Sequence, residues 1–290
     1  MKMYGSSGSS GANGGAKKVT VPDLRARKGD SSSPREKIAM VTAYDYTMAR
    51  LVDEAGVDMV LVGDSLGMVV QGLTTTIPVT MDEMAYHCRA VARGLGRAHL
   101  VGDLPFMSYQ VSPQQAVESA GKLMKEGACE SIKLEGGQEV AEHVHRIVRA
   151  GIAVVGHIGL TPQSVHALGG FKVQGRGQDG AEKVLADAVA LEQAGAFSIV
   201  LEGIPPDLAS EITAKASIPT IGIGAGAGCD GQVLVMHDVL GLSESFVPRF
   251  AKPYANLWHD ASAAATSYIR EVRERTFPAA EHCYGVNRGA

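Results

Sequence analysis

The stretch "VDMVLVGD" (57–64) decides the fold, because it comes back along the chain in a slightly altered form. A run of apolar residues stops at a glycine and is followed by the carboxylate of Asp64. The string "AHLVGD" (98–103) has the same order and ends on Asp103. Gly-Asp pairs are common in turns, so one copy could be no more than a turn. Two copies favour another interpretation, in which buried strands each deliver an acid to a site.

Apolar runs of this kind alternate with longer amphipathic segments along most of the chain. The runs cover 37–45, 57–64, 98–103, 131–136, 153–159, 197–203, 219–226 and 232–238. The segments with helical patterns are 46–55, 80–93, 112–127, 137–150, 178–195 and 206–216. Near-continuous apolar strands alternating with helices indicate a parallel sheet covered on both faces. Eight such units predict an α/β fold of the (β/α)8 TIM-barrel type. The alternative is a doubly wound sheet, whose edge strands would usually be more polar.

Composition bounds the class of protein. The 290 residues are 45% hydrophobic and 20% charged, and the formal net charge of −4 provides no basic field for nucleic acid. No run approaches the roughly 18 apolar residues of a membrane span. Four widely spaced cysteines without a C-x-x-C pair suit a reducing compartment, which predicts a cytoplasmic protein. The Gly/Ser-rich residues 1–17 are predicted to form a flexible tail. A long helical stretch, 253–274, is expected to pack outside the barrel or to reach a neighbouring subunit.

Polar side chains follow most of the predicted strands. Active sites of barrel enzymes gather at the carboxyl ends of the strands, where residues from different strands converge. The residues at these ends are Asp45, Asp64, Asp103, Lys133 with Glu135, His157 and Glu202. Mg²⁺ binds few carboxylates and keeps open positions for waters and substrate oxygens, which suits Asp64 and Asp103. Each acid taken alone could equally be a turn cap or a solvated loop residue.

The other strand-end residues also leave alternatives open. Lys133 and Glu135 should point to the same face of a strand. Lys133 could hold a substrate carboxylate or keto oxygen, form a salt bridge to Glu135, or form a Schiff base in a metal-independent aldolase. His157 could polarise a carbonyl or be structural. Glu202 could be a general base if apolar walls exclude water, or a salt-bridged residue at the rim.

One glycine-rich string invites a dinucleotide-binding interpretation that its context argues against. "GIGAGAGCDG" (222–231) contains G-x-G-x-x-G. That motif should open a helix directly after its strand. Here another apolar run follows instead, so a tight turn or a close approach of backbone to a ligand is expected.

Five strings together resemble the ketopantoate hydroxymethyltransferase family. They are "TAYDYTMARLVDEAGVDMVLVGDSLGMVVQG", "VGDLPFMSYQ", "KLEGG", "GHIGLTPQSVHALGGFKVQGRG" and "PTIGIGAGAGCDGQVLV". The resemblance covers about residues 18–283 and implies one (β/α)8 barrel domain of the phosphoenolpyruvate/pyruvate type with a C-terminal helical extension. Residues 284–290 would form a second tail. The implied activity is transfer of a hydroxymethyl group from 5,10-methylenetetrahydrofolate to 3-methyl-2-oxobutanoate, which gives 2-dehydropantoate for pantothenate and coenzyme A synthesis.

The resemblance also implies roles for the strand-end residues. Asp64 and Asp103 would ligate one Mg²⁺ per subunit, and Glu135 would support the metal through water. The 2-oxo acid would be held by Asp64, Ser65, Asp103 and Lys133, with His157 close to it. Glu202 would be the catalytic base. The family resemblance further implies a homo-oligomer, often a decamer.

Two rival functions remain at this stage. One is another Mg²⁺-dependent carbon–carbon lyase of 2-oxo acids on the same type of barrel. Lyases that resemble isocitrate lyase carry a K-K-C-G-H string, which this sequence lacks. The other rival is a non-catalytic barrel that binds a metal or a metabolite. Such a barrel would need neither a base such as Glu202 nor a keto-acid ligand such as Lys133.

Overall fold

The computed structural model describes residues 17–29, 36–243 and 248–284. Its strands are β1 (Ile38–Thr42), β2 (Met59–Val62), β3 (His99–Asp103), β4 (Ser131–Glu135), β5 (Val154–Gly159), β6 (Ser198–Glu202), β7 (Thr220–Ile223) and β8 (Gly231–Leu234). They form a closed barrel in which consecutive strands pair in parallel. The pairing of β1 with β8 closes the sheet and excludes the doubly wound alternative, which has open edges.

One α-helix precedes the first strand, and the others lie between and after the strands. They are α1 (Val21–Arg25), α2 (Tyr46–Glu54), α3 (Leu66–Val69), α4 (Met81–Ala92), α5 (Pro113–Glu126), α6 (Ala141–Arg149), α7 (Val165–Leu168), α8 (Gly177–Ala194), α9 (Pro206–Lys215), α10 (Met236–Leu240) and α11 (Leu257–Glu274). The strand predicted at 232–238 was too long, because the chain already turns into α10 at Met236. The glycine-rich string joins β7 to β8 without a helix, as expected.

Asp45, which the sequence groups with the acids at the strand ends, caps the start of a helix. The side chain of Asp45 accepts the N–H of Met48 at 2.8 Å and caps α2. Asp45 is therefore exposed at a helix terminus, and its carboxylate is used for capping. The same logic starts α4, where Thr80 and Glu83 form a capping box. The role of Asp45 is therefore structural.

The barrel interior changes from apolar to polar toward the carboxyl ends of β3, β5 and β6. Side chains two residues apart on a strand share a face, so Asp103 lies on the same face as the core residue Val101. His157 stands in the same relation to Val155. Apolar residues of the interior include Val19, Leu24, Ile38, Met40, Met59, Leu61, Val101, Val155, Phe197, Val200, Ile221, Ile223 and Val233. The alternation therefore places the strand-end polar groups above an apolar floor.

The two glycines of the twin "VGD" strings are needed for different reasons. A Cβ at Gly63 would meet the Oγ of Ser65 at 2.7 Å, in the middle of the polar cluster. A Cβ at Gly102 would instead meet the Sγ atoms of Cys129 at 2.6 Å and Cys88 at 3.2 Å, outside the barrel wall. Gly63 thus allows close packing inside the polar cluster. Gly102 allows close packing between β3 and the surrounding helices.

Replacement of Gly102 by alanine should destabilise the fold. The added methyl group overpacks the wall between β3 and the two buried thiols, and overpacking of this kind costs about 1–3 kcal/mol. Gly121→Ala is a matched control, because nothing lies within 4 Å of a Cβ there and the residue is inside α5. Alanine should stabilise that helix by about 1 kcal/mol. Urea unfolding of both variants measures the difference, and equal midpoints would contradict this account of the wall.

Residues after Val235 form a second compact unit. Its main element is α11, which has no buried residue and exposes Trp258, Tyr268 and Ile269. The domain boundaries expected from the sequence stay a prediction, and the expected tails lie outside the described residues except for Lys17 and Tyr284. The four cysteines are free thiols, as their spacing predicted. Among the described residues, no helix is both long and apolar enough to cross a bilayer.

Candidate active site

Lys133 and Asp103 form a buried ion pair at the centre of the site. The two residues are direct neighbours in the register of β3 and β4. Lys133 Nζ lies 2.6 Å from Asp103 Oδ1, and their side chains are 4% and 2% exposed. Burial lowers the pKa of Lys133, but Asp103, Glu135 and Asp64 outweigh it and raise the pKa above its ordinary value. A lysine held as a cation is a poor nucleophile, which argues against the Schiff-base alternative.

Asp64 and Asp103 are brought together by the ends of β2 and β3. The backbone N–H of Asp64 donates to Asp103 Oδ2 at 3.1 Å, and both side chains are buried. Burial, followed by the negative charges of Asp103 and Glu135, raises the pKa of Asp64 well above its usual range. Burial likewise raises the pKa of Asp103, in spite of the opposing effect of Lys133. The twin acids predicted from the sequence therefore share one buried, strongly negative site.

His157 lies between two carboxylates. Its Nε2 is 3.1 Å from Glu202 Oε2, and its Nδ1 is 3.5 Å from Glu135 Oε1. Nδ1 is also 3.3 Å from Lys133 Nζ. Burial and Lys133 lower the pKa of His157, but the contacts with Glu135 and Glu202 outweigh them and raise it to about 9. The imidazole is therefore protonated on both nitrogens and positively charged near neutral pH.

Glu202 is the most exposed carboxylate of the cluster. Its side chain is 16% exposed, whereas that of Lys133 is 4% exposed. The sequence led us to expect apolar walls around this carboxylate. The structure places His157 beside it instead, because His157 lies near the end of β5 and Glu202 ends the neighbouring strand β6. The Glu202 carboxylate thus has a cationic side chain, His157, as its neighbour.

Ser65 brings a hydroxyl to the same end of the barrel. It directly follows Asp64 and precedes α3, but its side chain does not cap that helix. Its Oγ lies 2.8 Å from the hydroxyl of Tyr44. Burial raises the pKa of Tyr44, so the phenol stays protonated. The pair adds neutral hydrogen-bonding groups beside the carboxylates.

Sequence reasoning missed Gln163. This buried residue lies in the 3₁₀ turn Pro162–Ser164 after β5, and its Nε2 donates to Asp64 Oδ2 at 2.8 Å. Its backbone N–H donates to Glu135 Oε2 at 3.0 Å. The available signal was a polar residue in a barrel loop soon after the strand that carries His157. An amide has no titrating group, so it was passed over.

The donor set fits a hard divalent cation. No three His, Cys, Asp or Glu side chains of the described ranges converge closely enough to form a metal centre by themselves. Mg²⁺ does not need such a cage, since it is commonly held by one or two carboxylates and keeps its waters. Asp64 and Asp103 provide that pair. The cluster contains four carboxylates and two cationic side chains, Lys133 and His157. A divalent cation would balance the excess negative charge.

Comparison with known proteins agrees with this geometry. The sequence profile of ketopantoate hydroxymethyltransferase matches residues 18–280. The chain belongs to the ketopantoate hydroxymethyltransferase family. A 3-methyl-2-oxobutanoate hydroxymethyltransferase of Syntrophotalea carbinolica is 56% identical over 268 residues, covering 92% of this chain and 99% of that protein. One of Moorella thermoacetica is 56% identical over 267 residues, covering 92% and 98%. Membership of the ketopantoate hydroxymethyltransferases makes the chain a transferase.

Solved structures support the fold of this ketopantoate hydroxymethyltransferase family member. A 2,3-dimethylmalate lyase of the PEP mutase/isocitrate lyase superfamily matches with a TM-score of 0.56 at 16% identity, covering 92% of this chain and 90% of the other. A phosphonopyruvate hydrolase in complex with oxalate and Mg²⁺ matches with a TM-score of 0.56 at 13% identity, covering 90% and 92%. These likenesses confirm the predicted (β/α)8 barrel fold.

Proposed function

We propose that this protein transfers a hydroxymethyl group from 5,10-methylenetetrahydrofolate to 3-methyl-2-oxobutanoate, giving 2-dehydropantoate for pantothenate and coenzyme A synthesis. Family membership and relatives of that name support the reaction. The observation that carries the proposal is the convergence of acids, a lysine and a histidine at the carboxyl ends of five adjacent strands, β2 to β6.

The oxo acid would be bound by the residues around the central ion pair. Lys133 supplies a buried cation, which is the group needed to attract a small carboxylate into a site rich in negative charge. Asp64, Ser65 and Asp103 line the same place and would orient the keto acid. The Ser65 hydroxyl can donate to it, since Tyr44 can donate in turn to Ser65.

One Mg²⁺ per subunit would be held by Asp64 and Asp103, with Glu135 supporting it through water. When bound, the cation would act as a Lewis acid that makes the C3 hydrogen of the oxo acid more acidic. The buried carboxylates fit this role, since their mutual repulsion in the free protein is relieved by a positive charge. The choice of Mg²⁺ over zinc rests on oxygen donors and on the small number of ligands.

Glu202 would accept the C3 proton. A general base must be an acceptor within reach of the substrate, and Glu202 is the most exposed carboxylate of the cluster. His157 is the rival base, but its contacts with Glu135 and Glu202 favour the protonated imidazole, which has no free nitrogen to accept another proton. Its contact with Glu202 also keeps that carboxylate in one place.

The remaining expectations belong to the same proposal. The folate would approach from the open end of the barrel, and the homo-oligomer, a decamer by resemblance, stays a prediction. Exposed Trp258, Tyr268 and Ile269 on α11 support an association through this helix. Residence in the cytoplasm also stays a prediction.

Formation of the product tests the proposal. The purified protein, given 3-methyl-2-oxobutanoate, 5,10-methylenetetrahydrofolate and Mg²⁺, should produce 2-dehydropantoate that is detected by mass spectrometry. Omitting the folate or adding a chelator should abolish the product. Absence of 2-dehydropantoate with all components present would refute the proposed reaction.

A further inference from the structure

The side-chain amide of Gln163 makes four hydrogen bonds inside the site. Its Oε1 accepts from the hydroxyl of Tyr109 at 2.9 Å and from Gln110 Nε2 at 3.0 Å. Its Nε2 donates to Asp64 Oδ2 at 2.8 Å and to the backbone oxygen of Leu104 at 3.0 Å. Two donors on one side and two acceptors on the other fix the orientation of the amide. A flipped amide would point its oxygen at the Asp64 carboxylate and at the Leu104 carbonyl, and both hydrogen bonds would be lost.

The main chain of Gln163 adds a second link. Its N–H donates to Glu135 Oε2 at 3.0 Å. Tyr109, which donates to the Gln163 side chain, also lies 2.9 Å from the backbone oxygen of Glu135. One residue of the β5–α7 connection therefore holds two carboxylates that come from different strands, Asp64 after β2 and Glu135 on β4. The carboxylates do not hold each other, because like charges repel.

We propose that Gln163 is a positioning residue that fixes Asp64 and Glu135 in the orientation in which they receive a divalent cation. The inference rests on the proposed function in so far as the cation belongs to that reaction. Buried carboxylates without such donors would turn toward other hydrogen-bond partners when the site is empty. Groups that orient metal-binding side chains typically contribute about 10–100-fold to metal affinity.

The test uses Mn²⁺ as the probe, with its affinity measured from the electron paramagnetic resonance signal of the free ion. Gln163→Met keeps the length of the side chain and removes its hydrogen bonds. We expect Mn²⁺ binding to weaken by about tenfold or more. The second variant, Gln163→Asn, retains a buried amide but is too short to reach both Asp64 and Tyr109, and should weaken binding in the same direction.

Ser198→Ala is the control for a purely structural effect. Ser198 is buried at the start of β6, at the opposite end of the barrel, and donates to the backbone oxygen of Pro219 at 2.9 Å. Its loss should lower the thermal midpoint while Mn²⁺ affinity stays unchanged. Equal Mn²⁺ affinity of the unsubstituted protein and both Gln163 variants would overturn the inference and leave the proposed reaction standing. Failure of the unsubstituted protein to bind Mn²⁺ would overturn the metal site itself.

Discussion

Asp64→Asn should abolish Mg²⁺-dependent turnover and at the same time stabilise the metal-free protein. The raised pKa of Asp64 means that its ionised form is less favourable in the folded chain than in the unfolded chain. Above the unfolded pKa of an aspartate this difference works against folding, so a neutral side chain of the same shape removes it. The amide still accepts from Gln163. Turnover should fall by about 10² or more, because a lost Lewis acid is worth several kcal/mol.

Asp103→Asn should lower turnover to the same extent as Asp64→Asn. The Asp103 carboxylate is a proposed metal ligand and also holds Lys133 in place through the buried ion pair. Asp82→Asn on the surface of α4 is the control, and it should leave turnover unchanged. Thermal unfolding in chelator measures the effect of Asp64→Asn on stability, and steady-state turnover in Mg²⁺ measures the activity of both variants. Full activity of either site variant in metal-free buffer would remove the metal from the account.

Glu202→Gln should lower the turnover number by about 10² or more. Glutamine keeps the size of the side chain and its contact with His157 but cannot take up a proton. Binding of the oxo acid should change little, since Lys133 and the metal would provide it. Glu211→Gln, on the exposed face of α9, is the matched control and should behave like the unsubstituted protein. A variant that loses oxo-acid affinity instead of turnover would assign Glu202 to binding.

The cluster could be predicted from the sequence because two simple periodicities determine it. Parallel strands bring their carboxyl ends to one edge, and alternation along each strand puts residues such as Lys133 and Glu135 on the same face. Both conditions can be seen in the apolar runs. The twin "VGD" strings therefore locate the acids from the sequence alone.

The pairing within the cluster could not be predicted, because it depends on how the strands are staggered. One sequence-based alternative paired Lys133 with Glu135, two residues away on its own strand. In the barrel Lys133 meets Asp103, its register partner on β3. The register of β5 and β6 pairs His157 with Val200, so the contact of His157 with Glu202 is a diagonal one to the next residue on the same face of β6. Stagger is a property of the closed sheet and leaves no mark in the composition of a single strand.

The most direct test of the central claim is exchange of the C3 hydrogen of 3-methyl-2-oxobutanoate in D₂O, followed by proton NMR without folate. This half-reaction isolates proton removal from the transfer of the one-carbon unit. The unsubstituted protein with Mg²⁺ should exchange the hydrogen, and Glu202→Gln should do so about 10²-fold more slowly. Exchange by Glu202→Gln at the unsubstituted rate would contradict the account and make His157 the next candidate for the base.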